Sequence, residues 1–587
     1  PAQADTKDLA YLQLMTAFIN TQAVNAGYEG VTIDLISMED YHDSEKINPQ
    51  ISIYLSGSGQ KIAENISRFS AFLREDTTWD RTAFETYVKN TPVQILQNGY
   101  RDPYFLSYEL KQTKQTAGNA FYSYTRGSMG QGSVPYYQLL KNARPEEYPA
   151  MLKKIKDMCS DMMLNSIPLV EYVGAEGYDA VKQAVTEQFK SGKKKESGSV
   201  LLPAGYPSAA TITKMTDANH FMLSGNIKEA GYSYSGKMWV AGNVLTANYL
   251  LPTMRGKYGA YGAGVTLDPS GLTSGVAGIS QIDLAIEVWN GMGDYLRNLT
   301  MTQKELDAAI IPIIKEFDEY YNDSDFGGIL ALSNKTSEDI NRTREEILST
   351  TVEDLRGYAD LLDALVAQQK VYAVLSREAA DKAEFDFAYY ADAETLNLYP
   401  RFTKKPQSYI SGKSETQFCP DDVLTRGEAA VLIERLLADR SVISIPPSYT
   451  DVHAADWYYE AIAVLSERGI LHGYSDGAFR PNETITRAEF VSVLAQFVYG
   501  TDTVPAISCN DITEEDWFYP AMAKMAAGGF LSGYGGGMLY PNKTITRAEA
   551  VTLINRVLGK AYIDGMQNPF TDTQGHWAFE EITAAVN

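Results

Sequence analysis

The sequence predicts an α+β protein, with two consecutive units of blocked strands and helices and then a section of different texture. Three observations predict it. Apolar residues recur at helical spacing in long runs, and short alternating runs stand between them. The last third of the chain repeats itself with a period of about sixty residues. A chain of 587 residues exceeds what one core holds, so several domains are expected. Their predicted bounds are 1–190, a linker at 191–200, 201–400, and the repeats at 404–587.

In the first unit, residues 9–24 carry apolar side chains at helical spacing, and residues 31–36 and 51–55 alternate as strands do. Residues 61–73 read as an amphipathic helix. Residues 81–112 read as helix with a break at 99–103, where glycine and proline stand close together. Residues 127–132 form a glycine-rich loop, and helices at 145–163 and 178–189 flank a strand at 169–173. Two-residue alternation predicts mainly antiparallel sheets with one face buried. Residues 191–199, with their lysine triplet, read as a solvated hinge.

A similar order returns in the second unit. Strands are expected at 220–224, 261–267 and 274–279, with a final strand at 371–375. Helices are expected at 236–254, 281–296, 302–321 and 338–369, the last broken near Thr350. Between the first of these helices and its strand stands Arg255-Gly256-Lys257-Tyr258-Gly259-Ala260-Tyr261-Gly262. The arginine ends a helix, the glycines free the backbone, and Tyr261 opens a strand. Such a strand-edge segment presents one cation and one phenol to an extended ligand.

Composition excludes several functions. The net charge of −23 argues against a nucleic-acid partner, which needs a basic face. No apolar run reaches the roughly 18 residues of a membrane span. Cys159, Cys419 and Cys509 form neither a disulfide framework nor a metal knuckle. The five histidines are His42, His220, His453, His472 and His576, and no two have the short helical spacing of metal ligands. Residues 42–45 read as a polar loop. No metal-ligating set and no Ser-His-Asp or Cys-His arrangement is expected in this chain. The opening Pro1 has no charged-then-apolar leader behind it, so either a signal has been removed or the chain is a piece of something longer.

The repeats align residue by residue. Asp451, Asp511 and Asp572 each precede a tryptophan: Trp457, Trp517 and Trp577. Gly412, Gly473 and Gly533 correspond, as do Phe418-Cys419-Pro420, Phe479-Arg480-Pro481 and Leu539-Tyr540-Pro541. Thr425-Arg426-Gly427-Glu428, Thr486-Arg487-Ala488-Glu489 and Thr546-Arg547-Ala548-Glu549 follow. In each, Thr and Glu three residues apart predict a capping box. The arginine between them sits at the first helical position, where the helix dipole gains nothing from a cation. The bounds read as 404–440, 449–499 and 508–558, with 570–587 a closing helix expected to complete the first repeat.

This pattern closely resembles the S-layer homology (SLH) module of bacterial cell-surface proteins. The resemblance implies an all-α unit of three pseudo-symmetric blades and an extracellular, cell-wall-associated protein of a Gram-positive organism. It also implies that Arg426, Arg487 and Arg547 bind secondary cell-wall polysaccharide carrying pyruvate ketals. A guanidinium suits such a carboxylate because it can pair with both oxygens.

The segments Tyr232-Ser-Tyr-Ser-Gly-Lys-Met238, Asn248-Tyr-Leu-Leu-Pro-Thr-Met-Arg255 and Gly259-Ala-Tyr-Gly262 resemble the last domain of pitrilysin/insulinase zinc metallopeptidases of the presequence-protease type. Residues 8–190 are similar to the third domain of the same enzymes. The resemblance implies the C-terminal half of a cell-surface zinc metalloendopeptidase that degrades unfolded peptides. Arg255 would bind the substrate backbone and Tyr261 would stabilise the oxyanion. Zinc, held in that family by His-x-x-Glu-His, is expected in an N-terminal half on the same gene product or a partner chain. This chain alone is not expected to hydrolyse peptides. Two departures stand out: Tyr258 occupies the place of a family glycine, and a Tyr-Arg-Asp segment has no counterpart at 279–282. They keep open a non-catalytic, wall-bound protein that uses the scaffold for binding or assembly, or a purely architectural surface subunit.

Overall fold

A computed structural model describes residues 2–3, 5–28, 31–40, 43–55, 58–127, 132–165, 176–188, 200–203, 205–214, 219–320, 335–404, 408–440, 446–498 and 504–587. The strand expected at 169–173, the linker at 191–199, most of the glycine-rich loop, and His42 lie outside the described residues. The chain divides into two compact units, Pro1–Ala383 and Glu384–Asn587.

The first unit opens with helix α1 (Thr6–Asn25), whose N-terminus is capped by Asp5 accepting from the Asp8 N–H. Its apolar face buries Leu9, Leu14, Phe18 and Ile19. Strands β1 (Val31–Asp40) and β2 (Asp43–Leu55) form one antiparallel hairpin, longer than the alternation predicts. Asp43, Ser44 and Glu45 therefore belong to a strand and not to a polar loop. Backbone pairing extends through polar positions because main-chain groups need partners whatever the side chain. Helices α2 (Gly59–Phe72), α3 (Arg81–Gln94) and α4 (Pro103–Gln112) follow. The expected break appears as a π turn at Ile95–Gly99, and Asp102 then caps α4. Helices α5 (Ala117–Thr125) and α6 (Val134–Lys141) are too short for their periodicity to stand out, yet Thr116 and Ser133 cap them. Helices α7 (Tyr148–Asn165) and α8 (Tyr178–Gln188) complete the segment.

The rest of this unit contains β3 (Ala209–Ile212), β4 (His220–Gly225), α9 (Gly236–Leu245), α10 (Leu251–Tyr258), β5 (Gly262–Asp268) and β6 (Gly271–Ala277). Helices α11 (Ile282–Asn290), α12 (Met292–Arg297), α13 (Gln303–Tyr320), α14 (Ser337–Leu348), α15 (Val352–Gly357) and α16 (Ala359–Ala367) precede β7 (Lys370–Leu375). Strand order runs β3-β7-β4-β6-β5, with β5 last. The described strands pair mainly antiparallel, as alternation predicts, with parallel pairs among them. β3 pairs parallel with β7, and Ala2–Gln3 pairs parallel with Val200–Leu201. A short hairpin such as β5–β6 must be antiparallel, whereas strands joined by long helical stretches can enter in either sense.

Each face of the β5–β6 hairpin is tied down differently. On one face, Lys111 Nζ of α4 donates to Thr273 Oγ1 (3.2 Å), and Gln115 Nε2 donates to Ser270 Oγ and Thr273 Oγ1 (both 3.1 Å). On the other, the buried Trp289 donates Nε1–H to Ser274 Oγ at 2.9 Å.

The second unit begins with a hairpin of β8 (Tyr389–Asp392) and β9 (Leu398–Pro400), so Glu384–Asn587 as a whole is not purely helical. Its helices are α17 (Arg426–Glu434), α18 (Tyr459–Glu467), α19 (Arg487–Ala495), α20 (Tyr519–Ala527), α21 (Arg547–Leu558) and α22 (Phe579–Val586). Capping boxes form at Thr425/Glu428, Thr486/Glu489 and Thr546/Glu549. Just ahead of them the repeats join through backbone. Leu424 N–H donates to Ile545 C=O, Ile545 to Ile485, and Ile485 back to Leu424, which closes a cycle. These N–H groups precede a helix start and have no intrahelical acceptor, so each takes one from its neighbour. Short bridges at Val423–Thr546, Thr425–Thr484 and Thr486–Thr544 accompany the cycle, so extended backbone lies inside the repeat region.

Three equivalent aspartates fasten the repeats, one to each. Asp451 accepts from Phe479 N (2.8 Å) and Arg480 N (2.7 Å), and Asp511 from Leu539 N and Tyr540 N. Asp572, in the C-terminal tail, accepts from Phe418 N (2.9 Å) and Cys419 N (2.7 Å) of the first repeat. Cys419, Arg480 and Tyr540 all have positive φ although none is glycine and each precedes proline. The carboxylate holds a backbone turn that would otherwise be strained.

Candidate functional site

Arg255 and Tyr261 are placed by one continuous helical path. Ser235 caps α9, which passes through a π turn at Thr246–Leu250 into α10. The π turn accommodates Pro252, which lacks the N–H a regular helix would need. Gly259 ends α10 in the left-handed region at φ 73, and Ala260 N–H closes onto Met254 C=O at 3.0 Å. Tyr258 is the last helical residue, so its bulk at the family's glycine position costs no backbone strain. Tyr261 N–H donates to Ala277 C=O at 2.9 Å, which aligns the residue with β6.

Tyr261 stands 78% exposed and Arg255 is also exposed. A core-facing tyrosine is thereby excluded. Neither side chain takes part in a hydrogen bond or ion pair among the described residues, which leaves a phenol and a guanidinium with donors to offer. The strand edge beside them is less open than the sequence suggests. Thr246 Oγ1 accepts from Val265 N (2.8 Å) and donates to Val265 C=O (3.0 Å), covering the outer edge of β5 midway. Gly278 is the positioning residue that sequence reasoning missed. Its φ is +86, and a β-carbon there would lie 2.3 Å from Tyr261 Cδ2. A glycine directly after a strand was the available signal.

The three repeat arginines are buried, with relative exposures of 7% for Arg426, 5% for Arg487 and 6% for Arg547. Each crosses into a neighbouring loop. Arg426 donates Nε–H to Phe479 C=O (2.9 Å) and Nη2–H to His472 C=O (3.1 Å), and pairs with Glu489 at 3.3 Å. Arg547 donates to Phe418 C=O (3.0 Å) and Ser411 C=O (2.7 Å). Arg487 donates to Ser532 C=O (2.8 Å), and its Nε has no partner. Burial lowers the pKa of Arg487 and Arg547. The placement at the first helical turn thus has a packing explanation that the dipole argument missed.

Among the described residues no three His, Cys, Asp or Glu side chains could hold a metal ion. His220 lies against the Tyr104 ring at 5.3 Å, while His453 and His576 pair with Asp456 and Asp421 at 3.5 and 3.3 Å. The described donor set does not fit zinc. The three cysteines are free, and burial pushes the Cys159 thiol up to about 11, so it is no nucleophile at neutral pH. No described helix is long and apolar enough to cross a membrane.

Residues 211–377 match the PreP C-terminal domain, and residues 448–491 and 510–551 match the S-layer homology domain. The chain joins a presequence-protease C-terminal domain to S-layer homology repeats. The two matched SLH repeats are those whose halves are contiguous in sequence. The chain is similar to a cellulosome-anchoring protein of Acetivibrio thermocellus, at 34% identity over 189 residues, 30% of this chain and 42% of that one. It is also similar to presequence protease 1 of Arabidopsis thaliana, at 31% identity over 173 residues, 29% of this chain and 16% of that one. Among solved structures it is similar to pitrilysin, at 10% identity and a TM-score of 0.40, covering 67% of this chain and 42% of that one. The chain thus spans less than half the length of these curated relatives. The SLH repeats make it an extracellular protein associated with the cell wall.

Proposed function

We propose that this chain is the C-terminal, substrate-binding half of a cell-surface zinc metalloendopeptidase of the presequence-protease type, held at the wall by its SLH repeats. The observation that carries this reading is the exposed Tyr261, resting on a turn at Gly278 that leaves no room for a β-carbon, with Arg255 exposed on the adjoining helix. Arg255 donates to the carbonyls of an extended peptide, and Tyr261 donates to the oxygen on which negative charge develops. A partner half, on the same gene product or separate, supplies zinc and the water it activates. Substrates are unfolded peptides.

At the other end, the closed cycle through Leu424, Ile485 and Ile545 supports three pseudo-symmetric blades, the first completed by the tail around Asp572. Domain bounds at 1–190, 201–400 and 404–587, joined by a linker at 191–200, remain part of this proposal. So does wall-polysaccharide binding in the seams of Arg426, Arg487 and Arg547. A non-catalytic binding protein is the second reading, favoured by the apolar, buried Ile279 and Ile282 where the family carries Tyr-Arg-Asp.

The test is titration of a fluorescent unfolded peptide onto the chain by anisotropy, then cleavage assays with the zinc-bearing half added. Saturable binding weakened by Arg255→Ala, and cleavage slowed about a hundredfold by Tyr261→Phe, are expected. Cleavage at an unchanged rate by Tyr261→Phe would refute the role of that tyrosine. Binding with no cleavage in any combination would favour the second reading. Isolated sacculi that do not retain the chain would remove the wall-anchoring reading.

A further inference from the structure

A row of polar side chains lies across the sheet beneath residues 111–115. Lys370 of β7, Ser224 of β4 and Thr273 of β6 are in-register neighbours on adjacent antiparallel strands. Residues so paired share one face of a sheet. That face is the one turned to α4, because Lys111 Nζ and Gln115 Nε2 both reach Thr273 Oγ1. The chain then closes over the row. Lys114 C=O accepts from Lys370 Nζ at 3.2 Å, and Gln115 C=O accepts from Asn226 Nδ2 at 2.8 Å. Lys111, Lys370 and Ser224 are consequently buried, at 2%, 5% and 0% exposure.

What this row lacks is acceptors. Thr273 Oγ1 accepts from both Lys111 and Gln115, which fills its lone pairs and leaves its O–H to donate. Gln115 Nε2 gives its second hydrogen to Ser270 Oγ. Lys370 has Lys114 C=O and Glu229, the latter at 2.7 Å, for two of its three hydrogens. Lys111 has Thr273 for one of three. Ser224 Oγ is buried with no partner at all.

Charge is short as well. Lys370 is paired with Glu229, but Lys111 has no ion pair among the described residues. The nearest opposite charge, Asp268, bonds through Oδ1 to the N–H and hydroxyl of Ser270. The Tyr108 ring, 4.5 Å from the ammonium, offsets only part of its burial. Desolvation brings the amine down to about 8, which leaves it mostly charged at neutral pH. Buried donors take acceptors, and a buried cation without a counter-charge is the costliest of them. A water molecule would satisfy the donors but not the charge. A small anion satisfies both.

We propose that Lys111 Nζ, Ser224 Oγ and Thr273 Oγ1 hold one small monovalent anion of halide size. It neutralises Lys111 and fastens α4 and the turn after it to the sheet. The site is separate from Arg255 and Tyr261 and from the repeats, and it stands whether or not the chain binds peptides or wall polymer.

The experiment is urea unfolding of the full chain at neutral pH in sodium chloride, with sodium gluconate at equal ionic strength as the control. Between about 10 mM and about 1 M chloride the folded-to-unfolded ratio should rise about tenfold over the control, as for one ion with a dissociation constant of ~0.1 M. Bromide should act as chloride does. Ser224→Ala should move half-saturation to higher chloride, and Lys111→Met should abolish the response. The wild-type response should also vanish near pH 10, where the amine is neutral, and that arm decides the matter if Lys111→Met does not fold. Crystals soaked in bromide should give an anomalous peak beside Lys111 Nζ. A chloride response that is absent, or equal in wild type and Lys111→Met, would overturn the proposal and leave water as the row's acceptor.

Discussion

The ring of Tyr261 lies across Gly278 so closely that a β-carbon on the glycine would meet Cδ2 at 2.3 Å. Gly278 also donates its N–H to Asn219 C=O at 3.0 Å, and Asn219 Nδ2 donates to Ile279 C=O at 3.1 Å. The orientation of the exposed phenol is therefore set from beneath by backbone. Gly278→Ala should cost about 1–3 kcal/mol, from φ +86 and the displaced ring together. Urea unfolding measures the loss, and peptide anisotropy should show weaker binding than Tyr261→Phe gives.

Thr246 protects the outer edge of β5 by bonding both main-chain groups of Val265. Thr246→Val keeps the shape and removes both bonds, so a loss of about 1–3 kcal/mol is expected. The uncovered edge should also promote self-association. Denaturant midpoints and sedimentation of the variant check the two effects.

Lys111 is buried between α4 and the β5–β6 hairpin, where desolvation brings its pKa down to about 8 and Asp268 only partly opposes this. The ordinary lysine value is 10.5, so folding releases a proton between these limits and stability rises with pH across that window. Below pH 8 the charged form is buried at a cost of about 3 kcal/mol. Lys111→Met should accordingly stabilise at pH 7, less the lost bond to Thr273, and its advantage should shrink toward pH 10.5. Wild-type and variant midpoints compared along that range provide the measurement.

Asp572 has a lowered pKa despite burial, because it accepts from the Phe418 and Cys419 N–H groups. Its contribution is present above the ordinary value of 3.8 and is lost as pH falls through the lower folded value. Asp572→Asn should reproduce much of that loss at neutral pH and release the tail from the first repeat. Proteolysis of the tail, rapid in the variant and slow in wild type, is the expected readout.

Much of this protein was legible in its residues. Helical periodicity placed α1, α7 and α13, glycine and proline marked the break before α4, and Thr-x-x-Glu predicted the three capping boxes. These features depend on neighbours a few residues away, which a sequence displays directly. Arg255 and Tyr261 were legible as residue types at a helix end and a strand start, because caps and turns are local too.

What only the tertiary structure decided involves partners distant in the chain. The parallel pairing of β3 with β7 is set by packing, since periodicity carries no direction. Thr246 closing the edge at Val265, and Gly278 beneath Tyr261, are contacts across elements that no spacing rule reports. Arg426, Arg487 and Arg547 share one motif, yet each donates to carbonyls of a distant loop, and among the three only Arg426 has an ion pair among the described residues. The sequence determined which groups this protein carries, and the fold determined which of them are left without a partner.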